Sequence, residues 1–245
     1  MSQHSTARRV AALAGASAVL VALAGCSTPA PAADTPGVTD DTVTIGTHTP
    51  LTGPAAAGYS SISKAVAAYF AYLNDQGGIH GRDIEYVVKD DGYNPATTQT
   101  VVRELVQEDQ VFAVLNGLGT PTHGSVLDYL NENEVPDLFP ASGALLWDDP
   151  EAYPWTFAYN VDYTTEAKAL AQYALDEGGD DAVFCVLGQD DDYGTDFVAG
   201  LETVLGADGV QDYVGTAYTT DSGDGAVEPY DGEAPAPEGD GVPAT

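Results

Sequence analysis

Short apolar runs alternate with longer amphipathic stretches along the chain from about residue 41 onward. A first strand is indicated at Val43 to Ile45. The stretch from Ser60 to Asn74 repeats its apolar residues at helical spacing and ends at Gly77-Gly78, a strong stop signal. A second strand follows at Asp83 to Lys89. This alternation of strands and helices predicts an α/β fold with a mostly parallel sheet.

The alternation continues to about residue 218 and predicts two lobes. We predict a first lobe over 41–160, a partial second lobe over 161–219, and a hinge at Asn160 to Tyr163. The remaining elements predicted in these lobes are a helix from Asn94-Pro95 to Glu108, a strand Val111–Leu115, a helix Thr122–Asn133, a strand Val135–Ala141, an extended segment Tyr153–Val161, a helix Thr164–Glu177, a strand Ala182–Leu187, a helix Thr195–Leu205 and a strand Asp212–Tyr218. Beyond Thr220 the apolar periodicity stops, so 220–245 is predicted to be a disordered acidic tail rich in Gly, Pro and Ala.

The N-terminal residues have the features of an export signal. Arg8 and Arg9 precede an apolar or small stretch from Val10 to Leu23, and Leu23-Ala24-Gly25-Cys26 follows. That tetrapeptide resembles the bacterial lipobox, which implies a signal peptide over 1–25 and a lipidated Cys26 as the mature first residue. Residues 26–40 would then be a flexible tether, and the protein would be extracytoplasmic and anchored to the cell membrane. The alternative is an ordinary secretory signal with an incidental cysteine.

The composition narrows the classes of partner. The chain has 38 acidic and 7 basic residues and a net charge of −31, which disfavours nucleic acid and anionic ligands in general. Such a charge is typical of a solvated acidic surface. The second cysteine, Cys185, lies in an apolar run and is interpreted as a buried small hydrophobe rather than a nucleophile.

The motifs of common enzyme classes are missing. Gly117-Leu118-Gly119 follows a predicted strand, but the next glycine is Gly124, so the dinucleotide-binding spacing is not met. The sequence has no phosphate loop, no Gly-x-Ser-x-Gly elbow and no histidine pair at zinc-site spacing. His48, His80 and His123 are expected to be turn or surface residues. We therefore predict no catalysis, no cofactor and no metal.

Several short motifs, in this order, carry a family resemblance that covers about Val43 to Tyr218. They are Pro50-Leu51-Thr52-Gly53-Pro54, Asn74-Asp75-Gln76-Gly77-Gly78-Ile79-His80-Gly81-Arg82, Asp90-Asp91-Gly92-Tyr93-Asn94-Pro95, Val135-Pro136-Asp137-Leu138-Phe139-Pro140-Ala141-Ser142-Gly143, Pro154-Trp155-Thr156 and Asp190-Asp191-Asp192-Tyr193-Gly194. The chain resembles the type I periplasmic binding proteins of branched-chain amino acid ABC importers. The resemblance implies a two-lobed α/β fold with parallel, doubly wound sheets, in which the second lobe here is incomplete.

The resemblance also implies a ligand site between the lobes. In the family, hydroxyls and backbone groups of first-lobe loops hold the ligand, and the matching residues here are Thr120, Ala141, Ser142 and Gly143. Ligands of open α/β sheets also bind outside the carboxyl ends of strands, which is where Thr120 and Ser142 are predicted. The two could instead serve only as helix caps.

Two tyrosines match the family's aromatic positions. Tyr59 follows the Thr-Gly-Pro turn, and Tyr193 precedes Gly194 in the second lobe. Such a pair could cover an apolar ligand from both sides and exclude water. A surface or packing role for either tyrosine is the alternative.

The resemblance implies a solute-binding lipoprotein of an ABC importer, with a small amino acid or related organic solute as ligand and a membrane permease as partner. Two alternatives stay open: a ligand-sensing module of the same fold, and an inactive truncated receptor. The match ends before the family's later second-lobe residues, and the abrupt change after Thr220 suggests a frameshifted or prematurely ended reading frame.

Overall fold

The computed structural model describes residues 35–178, 184–186, 188–206 and 210–211. The predicted signal peptide, the lipidation site Cys26, the predicted strand Asp212–Tyr218 and the predicted tail 220–245 lie outside the described residues. So does the side chain of Cys185. No helix within the described residues is both long and apolar enough to cross a membrane.

Strands and helices alternate along the described chain, as the sequence pattern predicts. The elements are β1 Thr42–Thr49, α1 Ala56–Tyr59, α2 Ser61–Asp75, β2 Asp83–Asp90, α3 Pro95–Gln107, β3 Ala113–Leu115, α4 Thr120–Gly124, α5 Leu127–Glu132, β4 Asp137–Leu138, a 3-10 turn Leu145–Trp147, β5 Thr156–Phe157, α6 Tyr163–Gly178, β6 Phe184–Cys185, α7 Asp192–Leu205 and β7 Val210–Gln211. The protein has an α/β fold with parallel sheets.

Five strands form the main sheet in the order β2-β1-β3-β4-β5, and all its neighbours are parallel. β1 pairs with β2 from Thr42 to Thr49 but with β3 only at Ile45 and Gly46. Beyond Gly46, the β3 side of β1 is bonded by the amide of Leu118, which donates to the His48 carbonyl at 3.3 Å. β6 and β7 form a second, two-stranded parallel sheet.

The core of the main sheet is aliphatic. Val102 and Leu105 of α3 and Val114 of β3 pack with Val126 and Leu130 in one buried cluster. Burial of each such side chain contributes roughly 1.5–3 kcal/mol. α3 begins with Asn94, whose side chain accepts hydrogen bonds from the amides of Ala96 and Thr97. This cap fixes the loop between β2 and α3.

α6 and α7 pack closely at small residues. Ala167, Ala171 and Leu201 form the buried centre of this contact. A β-carbon added at Gly200 would overlap the carbonyl oxygen of Thr164 and lie 2.7 Å from the β-carbon of Ala167. The two helices can approach this closely only because Gly200 has no side chain.

Two predicted elements are shorter or divided in the structure. The predicted helix Thr122–Asn133 is two helices, α4 and α5, because Val126 leaves the helical conformation with φ −120° and ψ 0°. The predicted strand Val135–Ala141 is reduced to Asp137–Leu138, because Phe139 takes a positive φ of 58° and Pro140 follows.

Candidate functional site

The strand order places a crevice at the carboxyl end of the main sheet. The chain leaves β1 toward one edge of the sheet and leaves β3 toward the other, so the loops that follow these strands diverge. Ligands of open α/β sheets bind at such a switch point. The loops that follow β1, β2, β3 and β4 all begin at this edge, because the strands are parallel.

Thr120 and Ser142 meet in this crevice. Thr120 Oγ1 lies 2.7 Å from Ser142 Oγ, and both residues are buried. Ser142 Oγ also accepts a hydrogen bond from the amide of Ala144, at 3.2 Å. The cap of α4 is Gly119, not Thr120, and Thr120 makes no side-chain cap bond there. The two hydroxyls are thus a paired donor and acceptor at the ends of two strand loops.

Ala141 and Gly143 border this pair through their backbones. The amide of Gly119 donates to the carbonyl of Ala141, at 3.4 Å, and the carbonyl of Gly143 accepts from the amide of Tyr163, at 2.8 Å. A β-carbon at Gly143 would lie 2.6 Å from the carbonyl oxygen of Val161 and 3.0 Å from the Tyr163 ring. The Tyr163 ring can pack this close because Gly143 has no side chain.

Tyr163 connects the hydroxyl pair to the second-lobe side, and sequence reasoning missed it as a site residue. Its hydroxyl donates to Ser142 Oγ at 3.4 Å. Its ring meets that of Tyr193 edge to face, with centroids 4.6 Å apart. The only sequence signal was its place at the end of the predicted hinge.

Tyr193 is half-buried, and its phenol stays neutral near pH 7. Burial raises its pKa, and the nearby phenols of Tyr163 and Tyr59 act in the same direction. Tyr59 is 48% exposed, and its contact with a ligand stays a prediction. The ring of Tyr193 packs against that of Tyr163.

Tyr93 is a second residue that sequence reasoning missed, although it lies in one of the motifs that carry the resemblance. Its hydroxyl lies 3.4 Å from both side-chain atoms Oε1 and Nε2 of Gln189. Burial raises the pKa of the Tyr93 phenol far above its usual range, and the Asp191 carboxylate and the Tyr59 phenol add to the effect. Tyr93 thus provides a neutral hydroxyl where the loop after β2 contacts Gln189, which precedes α7.

Asp191 is the carboxylate of this region. Its Oδ1 caps α7 by accepting from the amides of Tyr193 and Gly194, at 2.9 and 3.4 Å. Its Oδ2 is buried and has no hydrogen-bond partner among the described residues. Burial raises the pKa of Asp191, opposed by the two capping amides. An unsatisfied carboxylate oxygen is a ready acceptor for a cationic donor.

Two hollows are lined in part by predicted site residues. One of about 380 Å³ is lined by Ser142, Gly143 and residues on the approach to α6. Another of about 390 Å³ is lined by Gln189, Tyr193 and residues of α7. The first of these hollows contains Ser142 and Gly143 in its lining and the second contains Tyr193, so the predicted site residues are divided between the two.

The prediction that His48 and His123 are turn or surface residues is wrong. Both are fully buried, and His48 Nε2 lies 2.8 Å from His123 Nδ1. His48 Nδ1 contacts Asp91 Oδ2 at 2.8 Å, and His123 Nε2 contacts Asp137 Oδ2 at 2.9 Å. The four side chains form one buried, hydrogen-bonded row. Residue spacing could not reveal the contact, because 75 residues separate the two histidines. His80 is exposed, as predicted.

The described residues hold no group of three or more His, Cys, Asp or Glu side chains arranged to bind a metal ion. The candidate site comprises the hydroxyls of Thr120 and Ser142, tyrosine rings and the Asp191 carboxylate, whose Oδ2 is buried. Such a set can hold a small organic molecule through hydrogen bonds and apolar contact.

Solved structures of other proteins share the fold of this chain. A fatty acid ABC transporter substrate-binding protein from Thermomonospora curvata is 26% identical, with a TM-score of 0.65 over 75% of this chain. A substrate-binding periplasmic protein from Ralstonia solanacearum is 28% identical, with a TM-score of 0.61 over 69% of this chain. A branched-chain amino acid ABC transporter protein from Thermus thermophilus, with bound valine, is 23% identical, with a TM-score of 0.64 over 73% of this chain. Among curated proteins, no sequence matches this one.

The chain spans about half the length of these solved relatives, covering 46%, 47% and 46% of them respectively. Its sequence matches the family described as periplasmic binding protein over residues 42–230. That match includes every described strand and every residue of the candidate site. The chain belongs to the periplasmic binding protein family.

Proposed function

We propose that this protein is the solute-binding lipoprotein of an ABC importer and captures a small organic acid, such as an amino acid, in the crevice described above. The observation that carries the proposal is the convergence of Thr120 and Ser142 with three tyrosines. Tyr93 comes from the main-sheet side, and Tyr163 and Tyr193 from the α6–α7 side. We retain Tyr59 as a proposed fourth aromatic contact of the ligand.

The chemistry of these groups suits a carboxylate attached to an apolar body. Hydroxyls of Thr120, Ser142 and the neutral phenols can donate hydrogen bonds to a carboxylate. Tyrosine rings can cover the apolar part and exclude water. In a chain with a net charge of −31, this arrangement binds a small anion without a buried cation.

Asp191 adds a preference for ligands that also carry an amine. Its buried Oδ2 would accept a hydrogen bond from an ammonium group, which would supply the partner that the fold does not. This favours an amino acid over a simple carboxylate. The Thermus relative binds valine, and the Thermomonospora relative is named for fatty acids, so both ligand types occur among proteins of this fold.

Lipid anchoring and transport rest on the sequence and on the family. Leu23-Ala24-Gly25-Cys26 supports modification of Cys26, which would hold the protein at the outer side of the membrane beside its permease. Ligand capture between two lobes fits this task, because contacts from both sides exist together only when the lobes are closed.

Titration calorimetry and thermal unfolding of the mature protein test the proposal. The compounds are L-valine, isovalerate, which is valine without its amine, and octanoate. We expect at least one to bind and to raise the melting temperature, because a ligand that binds only the folded state stabilises it. L-valine should bind more tightly than isovalerate. If none of the three binds to a cooperatively folded protein, the proposed ligand class is wrong.

A further inference from the structure

The row Asp91–His48–His123–Asp137 has a hydrogen count that follows from its geometry. Three contacts of 2.8, 2.8 and 2.9 Å join four side chains, and each contact needs one hydrogen between its two heavy atoms. Two neutral imidazoles and two carboxylates together supply only two such hydrogens. The row therefore holds one proton more than neutral histidines would bring, and its net charge is −1 rather than −2.

The extra proton can be assigned to one of the three contacts in the row. Burial lowers the pKa of His48, against the opposing effect of its hydrogen bond to Asp91, which favours a neutral ring at His48. Its Nδ1–H then donates to Asp91, and its Nε2 accepts from His123 Nδ1–H. The third hydrogen lies between His123 Nε2 and Asp137 Oδ2. The charges that act on His48 come from His123, Asp91 and Asp137.

The row is attached to two loops of the candidate ligand site, through Asp91 at one end and through His123 in its middle. Asp91 Oδ1 accepts from the amide of Tyr93 at 2.9 Å, and Asp91 Oδ2 accepts from the Thr98 hydroxyl at 3.1 Å. His123 belongs to α4, the short helix whose first residue is Thr120. At the other end, Asp137 Oδ2 accepts from the Thr156 hydroxyl at 3.0 Å.

The surrounding backbone leaves the imidazoles little freedom. A β-carbon at Gly117 would overlap His123 Nδ1 and lie 2.6 Å from His48 Nε2. The Trp147 ring packs edge-on against His123, with centroids 5.2 Å apart. A turn of either ring would break at least one contact and leave a buried polar atom without a partner, at a cost that favours the observed arrangement.

Resting on the proposed function, we infer that Asp91, His48, His123 and Asp137 are positioning residues of the ligand site. They hold one shared proton and thereby fix the loops that carry Tyr93 and Thr120. The row touches no ligand itself. It positions Tyr93 and Thr120, which would contact the ligand. Both lie at the switch point of the main sheet, where successive strands are added on opposite sides.

The first test counts the hydrogens in the unaltered protein. Proton–nitrogen correlation spectra of histidine-labelled protein at pH 7.5 should show three slowly exchanging imidazole N–H signals from His48 and His123, although a free imidazole is mostly neutral at that pH. The His80→Asn variant removes the exposed histidine and serves as the assignment control. Two signals instead of three would overturn the inference.

The second test separates positioning from general stability. In His48→Asn, amide hydrogen exchange should rise about tenfold or more at Tyr93 and across α4, and stay unchanged in α6 and α7. His80→Asn is the matched control, because asparagine tolerates the positive φ of 52° at that exposed position. An equal rise in all elements, or no rise at Tyr93 and α4, would show that the row is not a positioning unit.

The third test links the row to binding. His48→Asn should weaken L-valine binding about tenfold or more, and His80→Asn should leave it unchanged. If the unaltered protein binds none of L-valine, isovalerate and octanoate, the proposed function fails, and the first two tests still decide the inference. If L-valine binds both variants as tightly as the unaltered protein, the function stands and the positioning role is wrong.

Discussion

Thr120 Oγ1 lies 2.7 Å from Ser142 Oγ, although the two residues end different strand loops and are 22 positions apart in sequence. The pair is buried, and it carries no charge. Ser142 Oγ also accepts from the Ala144 amide and the Tyr163 hydroxyl, and a ligand carboxylate could bond to either hydroxyl of the pair without displacing a charged group.

Removal of one hydroxyl of this pair tests its role directly. Ser142→Ala leaves the Thr120 hydroxyl and the Ala144 amide without a buried partner, which costs about 1–3 kcal/mol. We expect binding of L-valine to weaken about five- to a hundred-fold by calorimetry. Thr100→Val, at an exposed helical threonine, is the control and should bind normally. Unchanged affinity in Ser142→Ala would remove this residue from the site.

Asp191→Asn tests the preference for an amine. Asparagine keeps the oxygen that caps α7 and replaces the buried Oδ2 with an NH2 group, so stability should change little. Binding of L-valine should weaken about tenfold or more, because the charged acceptor for the ammonium group is lost. Isovalerate should bind the variant at least as well as the unaltered protein. An equal loss for both compounds would contradict the assigned role.

Gly200→Ala tests the close packing of α6 and α7. Alanine normally stabilises a helix interior relative to glycine by about 0.5–1 kcal/mol. Here the added methyl group would overlap the Thr164 carbonyl, and overpacking costs about 1–3 kcal/mol. We expect a lower unfolding midpoint in denaturant titration. Gly124→Ala, where the methyl group meets no atom within 4 Å, should be neutral or stabilising.

The stability of the fold should depend on pH through His48. Burial lowers the pKa of His48 in the folded state, while the unfolded chain keeps the ordinary value of about 6.5. The unfolded state then binds more protons as the pH falls below about 6.5, so the free energy of unfolding decreases until the pH reaches the lower folded-state pKa. Urea titrations at several pH values measure this slope. His48→Asn should flatten it, whereas a slope that is the same in both proteins would assign the effect to other groups.

Cys26→Ala tests the proposed anchor. Export should continue, but the N-terminus should carry no acyl chains, because no thiol remains to receive a lipid. Mass spectrometry of the N-terminal peptide from both proteins measures the acyl chains directly. An N-terminal peptide without acyl chains in the unaltered protein would argue against lipidation at this position.

The apolar pattern was sufficient to predict the alternation of strands and helices, because parallel strands and amphipathic helices leave strong local periodicities, but not the break at Val126 or the short β4. Thr120 and Ser142 could be placed at one edge because strand ends share an edge. The contacts of Tyr93, Tyr163 and the two histidines could not be predicted. They depend on which strands are neighbours and how far the loops bend, and local periodicity carries no information on either point.

The order β2-β1-β3-β4-β5 also bears on how the protein reaches its folded state. Ile45 of β1 pairs with Ala113 of β3, so the centre of the sheet requires contacts between distant parts of the chain. Non-local parallel pairing is slow compared with the formation of helices or hairpins. His48 comes from β1, His123 from the helix after β3 and Asp137 from β4, so the proton between them can be captured only after the sheet has assembled. Proton uptake during refolding should therefore be a late event, which gives a kinetic marker for the completion of this sheet.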